Sequence, residues 1–481
     1  MSQDTVDWNS DPAGMMKVYQ GQNYDLGQSI ADLVDNGIDE GANTIEIVIS
    51  PGETEEELFI AIFDNGGGIS EGQFDDIMKL GHSTKTDSAK LGVFGVGLKL
   101  SSLAQANEVT IVSKKADSYP SMRRISAPYI LKHNKNKLMT IPLSNQDGEN
   151  TSAYRFCYEK MLIQEWSTFV LLENIHAVDQ FVAVNENYKT SMSKELKRII
   201  IHLGLTFHRI LETKLIEIKI GNGKTFKSIE PLNPGMPLED DLDFGTVSSN
   251  QQTVAYDIKN KDIQLNIKVE YVILPHTNTI QNKSSLHINK GYKLANDMQG
   301  LYIYRNDRLI QYGNWQGMYG NGVNRNDEHA KLGKIYIEIP SDHIKLFGLN
   351  PTKTEVKLPK EFLRRLLEDS KKERKWGNIN NGKQMSFFEA FDYRYRQDGK
   401  AFKKRQLESE SKPNNDSKTA GPTKQISDPK SRVRERKKKL KPKKIITSIE
   451  ENNETLIIEF LGTREERLNF IESIKEWRKN E

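Results

Sequence analysis

The sequence predicts an α+β protein, with an N-terminal mixed β-sheet carrying helices on one face and a second, β-rich domain after it. Three observations predict this class. Strand and helix periodicities interleave through the first 210 residues. Two of the early strands are separated by a short turn, which joins antiparallel neighbours but is too short for a parallel crossover. Residues 215–357 are then dominated by strand patterns.

The elements follow in order. LGQSIADLVDNGI (26–38) puts Ile30, Leu33, Val34 and Gly37 on one helical face, with Asp32 and Asn36 one turn apart on the other. TIEIVIS (44–50) alternates strictly, as a half-buried strand does, and ELFIAIF (57–63) is a second strand. PGETEE between them is a turn of Pro, Gly and acids. A glycine cluster (DNGGGI, 64–69) and an amphipathic stretch (72–80) come next. The polar GHSTKTDSAK (81–90) leads into a second glycine run, LGVFGVGLKLSSLA (91–104), and EVTIVSK (108–114) is another strand. SKELKRIIIHLGLTFHRIL (193–211) reads as a long helix that closes the first domain.

LIEIKI, LNIKVEYVIL, GLYIYRNDRLI and KIYIEIP supply the strands of the second domain, and LPKEFLRRLLEDSKKER (358–374) a helix. Residues 398–444 lose hydrophobic periodicity and read as a disordered linker. TLIIEFLG and TREERLNFIESIKEWRK (455–479) form a small strand-plus-helix element. The expected domains are 1–212, 213–375, a helical then disordered basic linker 376–445, and a C-terminal element 446–481.

Composition narrows the function. The 481 residues are 36% hydrophobic and 28% charged, as expected of a folded core diluted by a polar tail. Cys157 is the only cysteine, which excludes an intramolecular disulfide and a Cys-rich metal site; it reads as a small buried hydrophobe. The polar, acidic start lacks a signal peptide, and no apolar run nears the roughly 20 residues a membrane helix needs. The expected location is cytoplasmic, or nuclear in a eukaryote, without membrane attachment. No pair among the nine histidines has metal-ligand spacing with a further ligand; His202 and His208 read as core or capping residues. Residues 424–444 carry eleven Lys and Arg against two acids. Subtracting that local +9 from the net +3 leaves −6 on the remainder. This run is either a solvated linker or a non-specific contact with nucleic-acid phosphates.

Three motifs carry chemistry, and each alone has a plain reading. Asp32 and Asn36 could be solvated helix residues. DNGGG could be a turn that needs positive φ, and Gly92, Gly95 and Gly97 a tight turn or close packing instead of a phosphate cradle. There is no P-loop pattern, and the glycine run does not follow a first strand as a dinucleotide fingerprint would.

The order of the three motifs resembles the GHKL ATPases, the group of DNA gyrase B, heat-shock chaperones, histidine kinases and MutL. The likeness covers residues 20–210, with wording most like the MORC-like and MutL-like branches. It implies a Bergerat-type ATP-binding domain using ATP and Mg2+. Asn36 then matches the magnesium ligand, a hard oxygen donor. Asp64 matches the acceptor for the exocyclic amine of adenine, with Gly66 and Gly68 beneath the base. Gly92, Gly95 and Gly97 match the phosphate loop, and Leu98 the start of its helix. Ser83, Thr84 and Lys85 fall in the lid, and Thr168 matches the threonine closing the adenine pocket. The general base is usually Glu; Asp32 stands there, one methylene shorter by about 1.5 Å, which implies slow hydrolysis. Downstream, FGLNPTKTEV (347–356) resembles the MutL segment whose lysine reaches the γ-phosphate, here Lys353; its plain reading is a surface turn. GLYIYRNDRLI (300–310) resembles the transducer strand-turn-strand of that group. Arg305 and Arg308 read as structural or salt-bridging.

The resemblance implies a nucleotide-gated homodimeric clamp acting on DNA through the basic run 430–444. Bacterial MORC-like ATPases give an association with DNA restriction or phage defence, in which a partner protein supplies any nuclease or other effector. The competing readings are a chaperone-like ATPase with a protein client and a scaffold that binds ATP without hydrolysing it.

Overall fold

A computed structural model of the chain describes residues 11–51, 57–79, 91, 97–138, 140, 151–176, 178, 187–235, 248–258, 264–275, 298–318, 329–350, 353, 356–377, 379–410, 444–451 and 454–461. They belong to two compact units, residues 1–412 and 413–481.

The first sheet has seven strands: β1 (Thr44–Ser50), β2 (Phe59–Asp64), β3 (Ala106–Ser113), β4 (Ser121–Ser126), β5 (Thr168–Ile175), β6 (Glu217–Gly221) and β7 (Phe226–Ser228). Their order is β4-β3-β5-β2-β1-β6-β7. Only β1 and β6 run parallel, so the sheet is mixed, as the short β1–β2 turn predicts. The alternation of β1 has a direct cause. Ile45, Ile47 and Ile49 enter one core and Val48 another on the opposite face.

The first core is built with α1 (Pro12–Gln20), α2 (Leu26–Asp39), α3 (Glu71–Met78), α4 (Gly97–Leu103), α5 (Ala127–His133), α7 (Tyr188–Thr206) and α8 (His208–Glu212). The second face is covered by α6 (Ser152–Ile163), which contributes Tyr154, Cys157 and Met161. The sequence gives little sign of α6, because polar residues interrupt its apolar ones. Burial pushes the Cys157 thiol above its ordinary range, which makes it the inert hydrophobe expected.

The long helix read over 193–211 is two helices that meet at Phe207. Gly204 explains how tightly α7 is held: a Cβ there would lie 2.7 Å from the Glu230 carbonyl oxygen. His208 is buried, its Nδ1 lies 2.7 Å from the Leu205 carbonyl, and burial pushes the ring down to about 4. It is a neutral core residue at pH 7.

The second sheet contains β8 (Ser248–Asp257), β9 (Gln264–Ile273), β10 (Gly300–Arg305), β11 (Arg308–Tyr312) and β12 (Gly333–Glu338), in the order β11-β10-β12-β9-β8. The Asn306–Asp307 turn joining β10 to β11 has φ of +48° and +61°, the left-handed pair of a tight hairpin. α9 (Lys360–Ser370) and α10 (Phe387–Glu410) pack on this sheet around Phe362, Trp376 and Phe391. This second core also takes in Leu205 of α7, whose Leu203 belongs to the first. One helix therefore forms a wall of both cores.

Two expectations for the tail change. Residues 398–410 belong to α10, not to a disordered linker. That stretch has no apolar periodicity, and the helix leading into it carries paired charges four residues apart, Arg396–Asp392 and Arg394–Asp398. In the second unit β13 (Lys444–Glu451) pairs antiparallel with β14 (Glu454–Leu461), so a second strand accompanies the one expected at 455–461. The helix expected after it lies outside the described residues. Among the described residues no helix is long and apolar enough to cross a membrane.

Candidate active site

Helix α2 begins with a capping box in which the Asp25 carboxylate accepts from the Gln28 amide at 2.7 Å. The box fixes the register of the turns behind it. The polar face of α2 meets the second domain instead of solvent: Asp32 is 2% exposed and Asp35 0%. The solvated reading of Asp32 therefore fails.

Two cations from β11 and the segment after β12 meet these carboxylates. Arg308 donates from Nε to Asp35 at 2.9 Å and from Nη2 to Asp32 at 3.2 Å. Lys353 donates from Nζ to Asp35 at 2.5 Å and lies 3.5 Å from Asp32. The Tyr24 hydroxyl donates to the other Asp32 oxygen at 2.9 Å. Two buried negative charges thus face two buried positive ones, which offsets a desolvation cost of several kcal/mol per ion. The pairing is uneven. Burial pushes the Asp32 carboxyl up, against the pull of Lys353 and Arg308. Burial acts on Asp35 as well, but Arg308 and Lys353 hold it below the usual carboxylate range.

Asn36 follows on the next turn. Its Nδ2 is buried without a hydrogen-bond partner, a state that polar groups seldom tolerate unless a bound group completes them. An unpaired N–H donor calls for an acceptor such as a phosphate oxygen, while the oxygen of the same amide is a hard ligand of the kind a divalent cation takes.

The second cluster lies at the end of β2. Asp64 is half-buried, accepts the Gly66 amide at 3.0 Å, and has its carboxyl pushed up to about 6 by desolvation. Gly37 lets α2 come close: a Cβ there would sit 3.0 Å from the Asp64 Cβ. Gly68 has φ +66°, and a Cβ would lie 2.0 Å from the Lys114 carbonyl oxygen, so only glycine fits. At Gly66 a Cβ would lie 2.9 Å from the Glu40 carbonyl. Thr168 is the cross-strand partner of Asp64, and its hydroxyl lies 2.8 Å from Ser113 Oγ.

Gly97 opens α4, with its Cβ direction 3.8 Å from Asp32, and Leu98 packs against the first core. Leu91, just ahead of the glycine run, gives its amide to Asp39 at 2.5 Å and its carbonyl to Arg305 at 3.0 Å. Ser83, Thr84, Lys85, Gly92 and Gly95 lie outside the described residues. Lys99 is buried and donates to the carbonyls of Ile77 and Lys79 at 2.7 Å each. Burial lowers its ammonium to about 8.

Residues 24–154 match the family of histidine kinase-, DNA gyrase B- and HSP90-like ATPases. The likeness to GHKL ATPases thus rests on residues 24–154. Mismatch repair endonuclease PMS2 of Gallus gallus is 27% identical over 132 residues, 26% of this chain and 14% of that protein. Protein MICRORCHIDIA 1 of Arabidopsis thaliana is 25% identical over 146 residues, 29% of the chain and 22% of its own length. Protein MICRORCHIDIA 4 of the same plant is 32% identical over 95 residues, 19% and 12%. The chain thus spans less than a quarter of each relative, and the likeness is that of the GHKL domain alone. Within it, Asp32 and Asn36 lie on successive turns of α2, Gly97 lies beside Asp32, and Asp64 faces Thr168 across the strands.

The sequence reading omitted Asp35, Tyr24 and Ser113. Asp35 had a signal, since DLVDN sets a second carboxylate three residues after Asp32 on the same helical face. Tyr24 and Ser113 had none, because their roles arise from contacts made by folding. Arg308 is salt-bridging, as expected. Lys353 is 7% exposed, and the surface-turn reading does not hold.

Proposed function

We propose that the chain binds ATP with magnesium, hydrolyses it slowly, and uses the nucleotide state to set its second domain within a homodimeric clamp on DNA. One observation carries this reading: Lys353 and Arg308 of the second domain meet Asp32 and Asp35 beside the start of α4. A cation placed there can pass from a carboxylate to a phosphate, and so couple the nucleotide to domain position.

In this mechanism Asp64 accepts a hydrogen bond from the exocyclic amine of adenine. A charge-assisted bond of that kind contributes about 1.5–3 kcal/mol and selects against guanine. Gly66 and Gly68 let the backbone pass beneath the base, and Thr168 closes the pocket. Gly92, Gly95 and Gly97 offer backbone N–H groups to the phosphates, Leu98 begins the helix behind them, and Ser83, Thr84 and Lys85 close over them. Asn36 would hold magnesium through its side-chain oxygen; the ion, when bound, neutralises phosphate charge. Asp32 takes the proton of the attacking water, and the upward push of burial makes it a stronger base. Lys353 leaves Asp35 for the γ-phosphate. The basic run 430–444 contacts DNA through phosphates, and a partner protein supplies any cleavage.

Single-turnover hydrolysis with magnesium, with and without duplex DNA, tests the reading. Turnover by the wild type, lost in Asp32→Asn and stimulated by DNA, is the expected result. A second reading is favoured by the short side chain of Asp32 and by the three groups around it. Tight ATP binding with no turnover in either protein would make the chain an ATP-gated scaffold.

A further inference from the structure

The four-charge cluster has a consequence that Lys353 alone does not explain. We propose that Arg308 is a positioning residue for hydrolysis, holding the Asp32 carboxylate directly and tying it to Asp35 whenever Lys353 is engaged elsewhere. This inference rests on the ATPase reading above.

The geometry separates the two cations. Lys353 is a compact charge close to Asp35 and 3.5 Å from Asp32. Arg308 is a planar fork whose Nε serves Asp35 and whose Nη2 serves Asp32. The fork is itself fixed. It begins β11 directly after the tight Asn306–Asp307 turn, and its guanidinium lies 5.8 Å from the Phe207 ring centroid at the junction of α7 and α8. Arg305, at the other end of that turn, binds the Leu91 carbonyl ahead of the glycine run. The β10–β11 hairpin therefore grips both the base and the entry to the phosphate loop.

Consider the cluster once Lys353 has moved to a phosphate. Asp32 and Asp35 are buried like charges three residues apart on α2, and one cation remains between them. With Arg308 present, one fork still holds both carboxylates, Nε on Asp35 and Nη2 on Asp32. Without it, the Tyr24 hydroxyl is left to hold Asp32 by one oxygen, and the carboxylate can turn away from the attacking water. The groups facing Asp32 are Tyr24 from the segment before α2, Asp35 of α2, Arg308 of β11 and Lys353. His202 of α7 stands in the electrostatic reach of Arg308, with its ring pushed down by burial.

The test compares wild type, Arg308→Gln, Arg308→Lys and the double variant Asp35→Asn with Arg308→Gln, all in the full-length chain. ATP affinity, single-turnover rate and thermal midpoint are read for each. Arg308→Gln is expected to lose about 10²-fold in turnover with ATP affinity changed less than threefold, and Arg308→Lys to recover part of the rate. The double variant removes one charge of each sign and restores the balance, so it controls for folding. It is expected to regain the thermal midpoint while turnover stays low. Wild-type turnover in Arg308→Gln, or in the double variant, would overturn the positioning role. A wild-type protein that binds ATP and never hydrolyses it fails at an earlier point, overturning the ATPase reading and this role with it.

Discussion

Asp64 has the most testable chemistry of any single residue. Its carboxyl ionises near pH 6 in the folded protein and near 3.8 in the unfolded chain. The unfolded state thus gives up its proton first, and stability falls as pH rises from about 4 to above 6, by about 3 kcal/mol at most. A ligand that donates to the ionised carboxylate offsets this loss. Adenosine, which has no phosphates to titrate, should therefore bind more tightly as pH rises through 6, with proton uptake by buffer measured calorimetrically. Affinity that is flat from pH 5 to 7 would remove Asp64 from the adenine contact. Gly68→Ala meets a backbone carbonyl as well as a left-handed φ. The φ term alone costs about 1–2 kcal/mol, so thermal unfolding should shift downward by at least that much, with nucleotide binding weakened. Lys353→Met leaves two carboxylates to one guanidinium; single-turnover assays should show turnover falling by about 10²-fold, more than ATP affinity falls.

At the level of elements, α4 acts as a bracket. It begins at Gly97 beside Asp32, and two residues later Lys99 ties the carbonyls that end α3. Lys99→Met removes both donations at once, so amide exchange at residues 77–79 should accelerate while the sheet stays protected. Unchanged exchange there would mean the tie is dispensable. The elements also mark what the sequence could reveal. β1 was legible to the residue because Ile45, Ile47 and Ile49 alternate, and the β10–β11 hairpin because aromatic strands flank an Asn-Asp turn. α6 and residues 398–410 of α10 were not, since one mixes polar with apolar residues and the other rests on charge pairs. In the site, Asp32 and Asn36 were legible from their spacing within one helix. Their partners were not: Arg308 lies 276 residues beyond Asp32, a closeness that only folding creates.

For the whole molecule, charge is concentrated outside the first unit, with eleven basic residues between 424 and 444. If DNA is held through phosphates there, replacing Lys437, Lys438 and Lys439 with Gln should weaken binding uniformly across sequences. The slope of log affinity against log salt should fall by roughly one per charge removed. An unchanged slope would move the DNA contact elsewhere. Within the first unit, the shared helix α7 has a different reach. Because Leu203 and Leu205 belong to different cores, neither domain can melt and leave the other with a complete wall. Calorimetry should register one cooperative transition for both, and adenine binding should disappear at the temperature where the second sheet comes apart. Inherited lesions would follow the same logic. A cavity cut beneath Trp376, on no path to any phosphate, would silence the nucleotide pocket as surely as a change within it.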